Sequence, residues 1–276
     1  MGLKLSLNFA AIYFMKQVLF FIFSMALFFS CSNSTEQSVT AVQIPQQEKE
    51  MQDAIAKYPD SLLLRETLVK YYKDNGTNDL AIATLNNIIR IDSNDATLWD
   101  SKAELHLLEE DTAAAIKSYE TAIAIFPDPQ YIMSVGLLYA FTKNDTALVM
   151  ADALLVGKNA RADKEALLIK GIYYSEINEK QKAISFFNQC LQLNYTYMPA
   201  YLQKGITLHD IKKYEEALKV FERAVTLQNK FDEGYYWMGR CYEKLNKRTD
   251  AIESYQAALF YNPEYIEAQD ALAKLK

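Results

Sequence analysis

The sequence predicts an all-α protein, built as a solenoid of repeated helix–turn–helix units. Three observations carry that prediction. Alanine recurs as Ala81, Ala115, Ala147, Ala183, Ala217 and Ala251, at spacings of 34, 32, 36, 34 and 34 residues. About twelve residues ahead of it runs a ladder of mostly small residues, Val69, Ala103, Gly136, Gly171, Gly205 and Gly239. Bulky residues hold two further rungs: Tyr72, His106, Tyr139, Tyr174, Leu208 and Tyr242, then Leu85, Tyr119, Phe187, Phe221 and Tyr255, with Ala151 as the exception. A fixed period in this range is the mark of a stacked array, in which each unit buries its apolar face against its neighbours.

Each rung has a physical reason. Two antiparallel helices approach closely only where the contact carries small side chains. Gly239 and Ala251 form such a pair, and Tyr242 and Tyr255 fill the space beside it. Ala258 lets the second helix pack on the next unit. Pro127 and Pro263 stop helices because proline lacks the N–H and disfavours helix before it; Pro59 closes an earlier partial unit. Lys143-Asn144-Asp145 and Asn178-Glu179-Lys180 supply polar turns. This places six units at about 62–95, 96–128, 129–163, 164–197, 198–231 and 232–265, with no internal domain boundary. A leading helix over about 43–58 covers one end. A final helix, 266–276, covers the other, with Leu272 inward and Glu267, Gln269 and Asp270 outward. The third unit is irregular. Its turn is one residue short, Ala151 replaces an aromatic, and Gly157–Arg161 forms a longer loop, so a change of curvature or a hinge is expected between units three and four.

These positions resemble the tetratricopeptide repeat. The last copy carries the resemblance most fully, through Tyr235, Met238, Gly239, Tyr242, Ala251, Tyr255, Ala258 and Pro263, and the likeness extends over about 47–276. The resemblance implies a right-handed superhelical solenoid whose first helices line a concave groove. It also implies a protein or peptide partner there and no catalysis. The groove positions in the middle units are apolar: Met133, Leu137, Phe141, Leu168, Ile172, Leu202 and Ile206. The last unit offers Tyr236, Arg240, Glu243 and Lys244, and the first two offer Glu66, Lys70, Lys73, Asp74, Asp100 and Glu104. Exposed apolar strips usually mark partner sites; the alternative is that tight superhelical curvature buries these residues against each other or under the tether. The Lys/Asn/Arg clamp that some family members use for a peptide C-terminus is absent, since Glu66, Thr67, Lys70, Ser101, Gln130 and Ser134 stand at the matching positions.

Composition narrows the chemistry. The 276 residues carry a net charge of −6, which argues against nucleic acid as a partner. Three cysteines and two histidines exclude a disulfide scaffold and make a His-rich metal site unexpected. Cys190 and Cys241 lie two units apart, and a solenoid brings only neighbours into contact, so both thiols are expected free and buried. His106 occupies a core position, and His209 has no companion at ligand spacing. Paired carboxylates such as Glu109-Glu110-Asp111 and Glu215-Glu216 read as helix ends. No enzyme constellation and no cofactor site is expected.

The first thirty residues differ from the rest. They hold two charges, Lys4 and Lys16, and an apolar run over 18–29 that is short for a membrane span. A basic start, apolar centre and small-residue end fit a secretory signal. Leu27-Phe28-Phe29-Ser30-Cys31 resembles the lipobox of bacterial lipoproteins, which implies cleavage after Ser30 and a lipid on Cys31. Residues 31–46 then form a tether. Met15 is a natural start for such a signal, leaving 1–14 as an upstream extension; an uncleaved anchor is the alternative. Met1–Ser6 also fits a myristoylation pattern, which is not expected beside a lipobox. Asp60-Ser61, Asp111-Thr112 and Asp145-Thr146 resemble exposed O-glycosylation sites and are equally ordinary helix caps. The expectation is a non-enzymatic binding scaffold, lipid-anchored in the cell envelope, on the outer membrane and facing the periplasm. The alternative is an accessory carbohydrate- or nutrient-binding lipoprotein of an uptake system, using Tyr235, Tyr236 and Trp237 as an aromatic platform.

Overall fold

The computed structural model describes residues 44–156 and 163–275. The signal and its Cys31, and nearly all of the tether, lie outside the described residues. So does the whole of the 157–161 loop. Among the described residues there are fourteen α-helices and no strand, the all-α helix-pair array expected. None of these helices is long and apolar enough to cross a membrane. The chain divides into two compact units between Ile125 and Phe126, where the sequence suggested no boundary. Phe126-Pro127-Asp128-Pro129 spans that point, and its two prolines deny the backbone two N–H donors.

The first unit holds α1 (Gln46–Lys57), α2 (Leu62–Asp74), α3 (Asn78–Ile91), α4 (Ala96–Leu108) and α5 (Thr112–Ile125). Its core gathers Leu68 and Tyr72 from α2, Ala81, Leu85, Ile88 and Ile89 from α3, and Leu98 and Leu105 from α4. Met51 and Ile55 of α1 pack against that cluster. The Tyr72 hydroxyl donates to Glu48 Oε1 at 2.7 Å, which ties the leading helix to the first pair.

The second unit holds α6 (Pro129–Phe141), α7 (Thr146–Val156), α8 (Asp163–Glu176), α9 (Lys180–Leu193), α10 (Met198–Asp210), α11 (Tyr214–Leu227), α12 (Asp232–Lys244), α13 (Arg248–Tyr261) and α14 (Ile266–Leu275). Sequential helices pack as antiparallel pairs, and the first helices α6, α8, α10 and α12 also pack on one another in turn. Leu272 of α14 is buried, with Gln269 and Asp270 exposed and Glu267 partly covered.

The alanine ladder is the inner seam of these pairs. All six alanines are fully buried. Opposite them the glycines make room for rings. A methyl built on Gly171, Gly205 or Gly239 would lie 2.3, 2.2 or 2.5 Å from the ring of Phe187, Phe221 or Tyr255. The third pair solves the same problem differently. With Ala151 in place of a ring, the space beside Gly136 is taken by Ile169 of α8 and Met150 of α7, at 2.9 and 3.1 Å from the same built methyl. Its turn is one residue short, as the sequence suggested: Lys143 stands four residues before Ala147, where the left-handed residues of the other pairs stand five before their alanines. The shortened register also delays α7, which starts at Thr146 and leaves Thr142–Asp145 between the two helices. The helices flanking the expected hinge, α7 and α8, pack directly on each other.

Each turn inside a pair has one left-handed residue: Gly76, Glu110, Lys143, Asn178, Lys212 and Asn246, with φ between 58 and 70°. The next N–H returns to the carbonyl five residues back, as from Lys213 to Leu208 at 2.9 Å and from Thr77 to Tyr72 at 2.9 Å. This is the Schellman closure, which satisfies carbonyls that the helix end leaves unpaired. A β-carbon is strained there. Lys212 is exposed and enters no ion pair among the described residues, so Lys212→Gly is expected to stabilise the protein by about 0.5–1 kcal/mol. A rise in the urea midpoint at constant slope would show it; a fall would mean that the Lys212 side chain contributes more than the turn costs.

Side-chain caps fix several helix starts. Ser61 Oγ accepts from Leu64 N, Asp95 Oδ1 from Thr97 N at 2.8 Å, Asp111 Oδ1 from Ala114 N at 2.9 Å and Asp128 Oδ1 from Gln130 N at 2.7 Å. Two of the three Asp-Ser/Thr sites therefore serve as caps. Ser61, Thr112 and Thr146 are partly covered rather than fully exposed.

Candidate partner-binding face

The nine residues expected to line an apolar groove all lie on first helices of the second unit: Met133, Leu137 and Phe141 on α6, Leu168 and Ile172 on α8, Leu202 and Ile206 on α10, Tyr236 and Arg240 on α12. Their burial corrects the expectation of an open apolar strip. Met133, Leu137, Leu168, Ile172, Leu202, Ile206 and Tyr236 are buried; only Phe141 and Arg240 are partly accessible. The physical reason is the direct packing of successive first helices, which takes aliphatic side chains at this register into the core.

Apart from Phe141, what stays accessible is polar and lies at the C-terminal ends of those helices. Glu176, His209, Arg240 and Glu243 are partly covered, and Asp210 and Lys244 are exposed. Arg240 is the most constrained of them. Its Nη1 donates to the Tyr236 hydroxyl at 2.8 Å, its Nε lies 3.9 Å from Glu243, and its guanidinium carbon stands 5.8 and 5.7 Å from the Tyr236 and Trp237 ring centres. His209 meets Tyr214 and Trp237 edge-to-face, at 5.1 and 5.4 Å between ring centres. Burial, with Arg240 adding to it, lowers the His209 pKa. Its buried Nε2 has no hydrogen-bond partner among the described residues. At the other end of α12, burial and the neighbouring Asp232 push the Glu233 carboxyl up to about 7.

A second polar line joins α8, α9 and α10. Lys180 Nζ donates to Asp210 Oδ2 at 2.9 Å and to Ser175 Oγ at 3.1 Å, and Ser175 shares a hydrogen bond of 3.0 Å with Thr207. Sequence reasoning missed this line. Its signal was present as polar residues at first-helix positions where the apolar pattern lapses. The charged surface read for the first unit is present: Glu66, Lys70 and Asp74 are exposed, and Lys73 pairs with Glu104 at 2.8 Å.

The aromatic trio does not form an open platform. Trp237 is 6% exposed, stacks on Phe221 at 6.2 Å and meets Tyr236 and His209 at its edges. Tyr235 stacks on Tyr261 at 5.6 Å. These rings are packing elements.

Cys190 and Cys241 are free and buried. The Cys190 thiol donates to the Lys164 carbonyl at 3.2 Å, and burial pushes both thiols up to about 12. Neither is expected to react with iodoacetamide at pH 8 in the folded protein, and both are expected to react in urea. Peptide mass spectrometry after labelling checks this; rapid native labelling of either would contradict the burial. Among the described residues, no three His, Cys, Asp or Glu side chains come together as a metal site.

Comparison with known proteins places this geometry. A family model described as tetratricopeptide repeat matches residues 208–275. A second of the same description matches 96–129 and 164–197. No curated protein matches the chain. Among solved structures, a tetratricopeptide repeat protein from Parabacteroides merdae superposes with a TM-score of 0.69 at 18% identity, covering 83% of this chain and 90% of that one. PilW, a type IV pilus biogenesis factor, gives 0.58 at 18% identity over 76% of this chain and 97% of its own. The Cut9–Hcn1 structure of APC/C gives 0.53 at 18% identity, over 83% of this chain and 46% of that one. At such identity the likeness is one of fold.

Proposed function

We propose that this chain, whose segments 96–129, 164–197 and 208–275 are tetratricopeptide repeats, is a non-enzymatic scaffold that binds a protein segment, held in the bacterial cell envelope by a lipid on Cys31. The observation that carries the reading is the repeat array itself. The four helix pairs of the second unit order their first helices side by side, with polar groups ranked along one end of them. Tetratricopeptide repeats are protein–protein interaction modules, and function here has to come from the accessible face rather than from the fold.

The proposed contact residues are the reachable ones, Phe141, His209, Arg240 and Glu243. Met133, Leu137, Leu168, Ile172, Leu202, Ile206 and Tyr236 support them from below. Phe141 offers the apolar anchor, and Arg240 the charged group that would fix orientation. The Arg240–Tyr236 hydrogen bond holds the guanidinium in place before a partner arrives, which lowers the ordering cost of binding. The lipid reading rests on the lipobox-like sequence ending in Cys31 and on the polar residues after it. It places the array in the periplasm, tethered to the outer membrane. More than one acyl chain would hold far more firmly than a single one, because each buried CH₂ contributes about 0.8 kcal/mol.

The test is in-cell photo-crosslinking from positions 141 and 240, with position 222, an exposed site on α11, as the control. A partner captured from 141 and 240 and absent from 222 supports the reading. The same proteins captured from all three positions would overturn it. The anchor is tested separately, by palmitate labelling that disappears in Cys31→Ser.

A further inference from the structure

Three helices of the second unit, α9, α10 and α11, enclose an open cleft of about 460 Å³. Its lining includes Lys204 from α10 and Lys219 and Arg223 from α11, with Asn188 and Gln192 of α9 across from them. Among the described residues no carboxylate lines it. Lys204 lies on the face of α10 opposite Leu202 and Ile206, because residues two apart on a helix point about 200° from each other. The cleft is therefore separate from the face proposed above.

The charge arrangement is unusual for a chain with a net charge of −6. None of Lys204, Lys219 and Arg223 enters an ion pair among the described residues. Lys219 and Arg223 stand four residues apart on α11, a spacing at which like charges repel. Lys204 is partly buried, and burial lowers the pKa of its ammonium. The acid acting on it, Glu216, already pairs with Lys213 at 2.9 Å. Tyr201 walls one side, and its hydroxyl is used up in donating to the Tyr195 carbonyl at 3.1 Å. An anion seated between these three cations would be held by all of them. The donor set suits a tetrahedral oxyanion: a guanidinium fork, two ammonium groups and two side-chain amides.

We propose that this cleft binds an oxyanion of the phosphate class, free or carried by a lipid headgroup. The test uses the full-length protein and two soluble probes, inorganic phosphate and dihexanoyl phosphatidic acid below its micellar concentration. Thermal unfolding is followed by circular dichroism against sodium chloride at equal ionic strength. The variants are Lys219→Gln/Arg223→Gln, at two exposed positions, and Lys204→Met. Phosphate also strengthens folding generally, so the quantity read is the difference between native protein and variant. At saturation the native midpoint is expected to rise about 2–4 °C more than that of either variant. A selective response to phosphate identifies the free anion as the ligand, and one to the phosphatidic acid alone identifies a lipid headgroup. No selective response to either probe, or one that both variants retain, overturns the proposal.

Discussion

Trp237→Ala lowers stability by about 3–5 kcal/mol, the usual cost of removing a large aromatic from a filled site. The ring is 6% exposed and touches Phe221, His209 and Tyr236, so its removal opens a hole where α12 meets the preceding pair. The measurement is a urea titration followed by far-ultraviolet circular dichroism, with the midpoint compared at constant slope. The result also decides between two meanings of an aromatic cluster. A carbohydrate platform would lose ligand binding on this substitution and keep its stability. A packing tryptophan loses stability whatever the ligand. A midpoint within error of the native value would show that the ring is not part of the core.

The second large effect concerns Gly205. Replacing a helical glycine by alanine normally gains about 1 kcal/mol of helix propensity. Here the new methyl would stand 2.2 Å from a ring carbon of Phe221, which is itself fully buried and cannot swing aside. Overpacking of this kind costs about 1–3 kcal/mol, so Gly205→Ala is expected to destabilise the protein. Phe221→Leu alone also destabilises it, by leaving unfilled space beside the glycine. The double variant is expected to be more stable than the sum of the two losses predicts, with a coupling of about 1 kcal/mol or more, because one change makes the room the other needs. A neutral or stabilising Gly205→Ala, or additive losses, would sink this account of the seam.

These two sites show why the helix-pair array was legible in the sequence and its accessible surface was not. A residue with one structural duty leaves a periodic trace. The alanines recur because any larger side chain would separate the helices, and the glycines recur because a ring needs their space. The positive-φ turns left a weaker trace, since glycine, glutamate, lysine and asparagine all occupy them. There the backbone closure, rather than the side chain, sets the conformation. The apolar register of Met133, Leu137, Leu168 and Ile172 was visible too, but an aliphatic residue on a first helix reads the same whether it faces a partner or the next helix. Burial depends on how closely neighbours approach, and spacing along the chain does not contain that distance. The clustering of Lys204, Lys219 and Arg223 escaped for the same reason: three elements contribute to the cleft, and no local pattern links them.

The third helix pair has one more consequence, for the order in which parts of the second unit come apart. In the later pairs, the ring that fills the space over the glycine comes from the same pair. Over Gly136 it is Ile169, a residue of the following pair, that closes the gap, together with Met150. The third pair is thus unfinished without its successor, and α6 packs directly on α8. Local opening should follow that dependence. The amides of α6, α7 and α8 are expected to exchange with solvent in a single step, whereas α12 and α13 can open as a pair of their own. A chain truncated at Val156 would end on a solvent-filled notch, while one truncated after α11 would end on a complete pair.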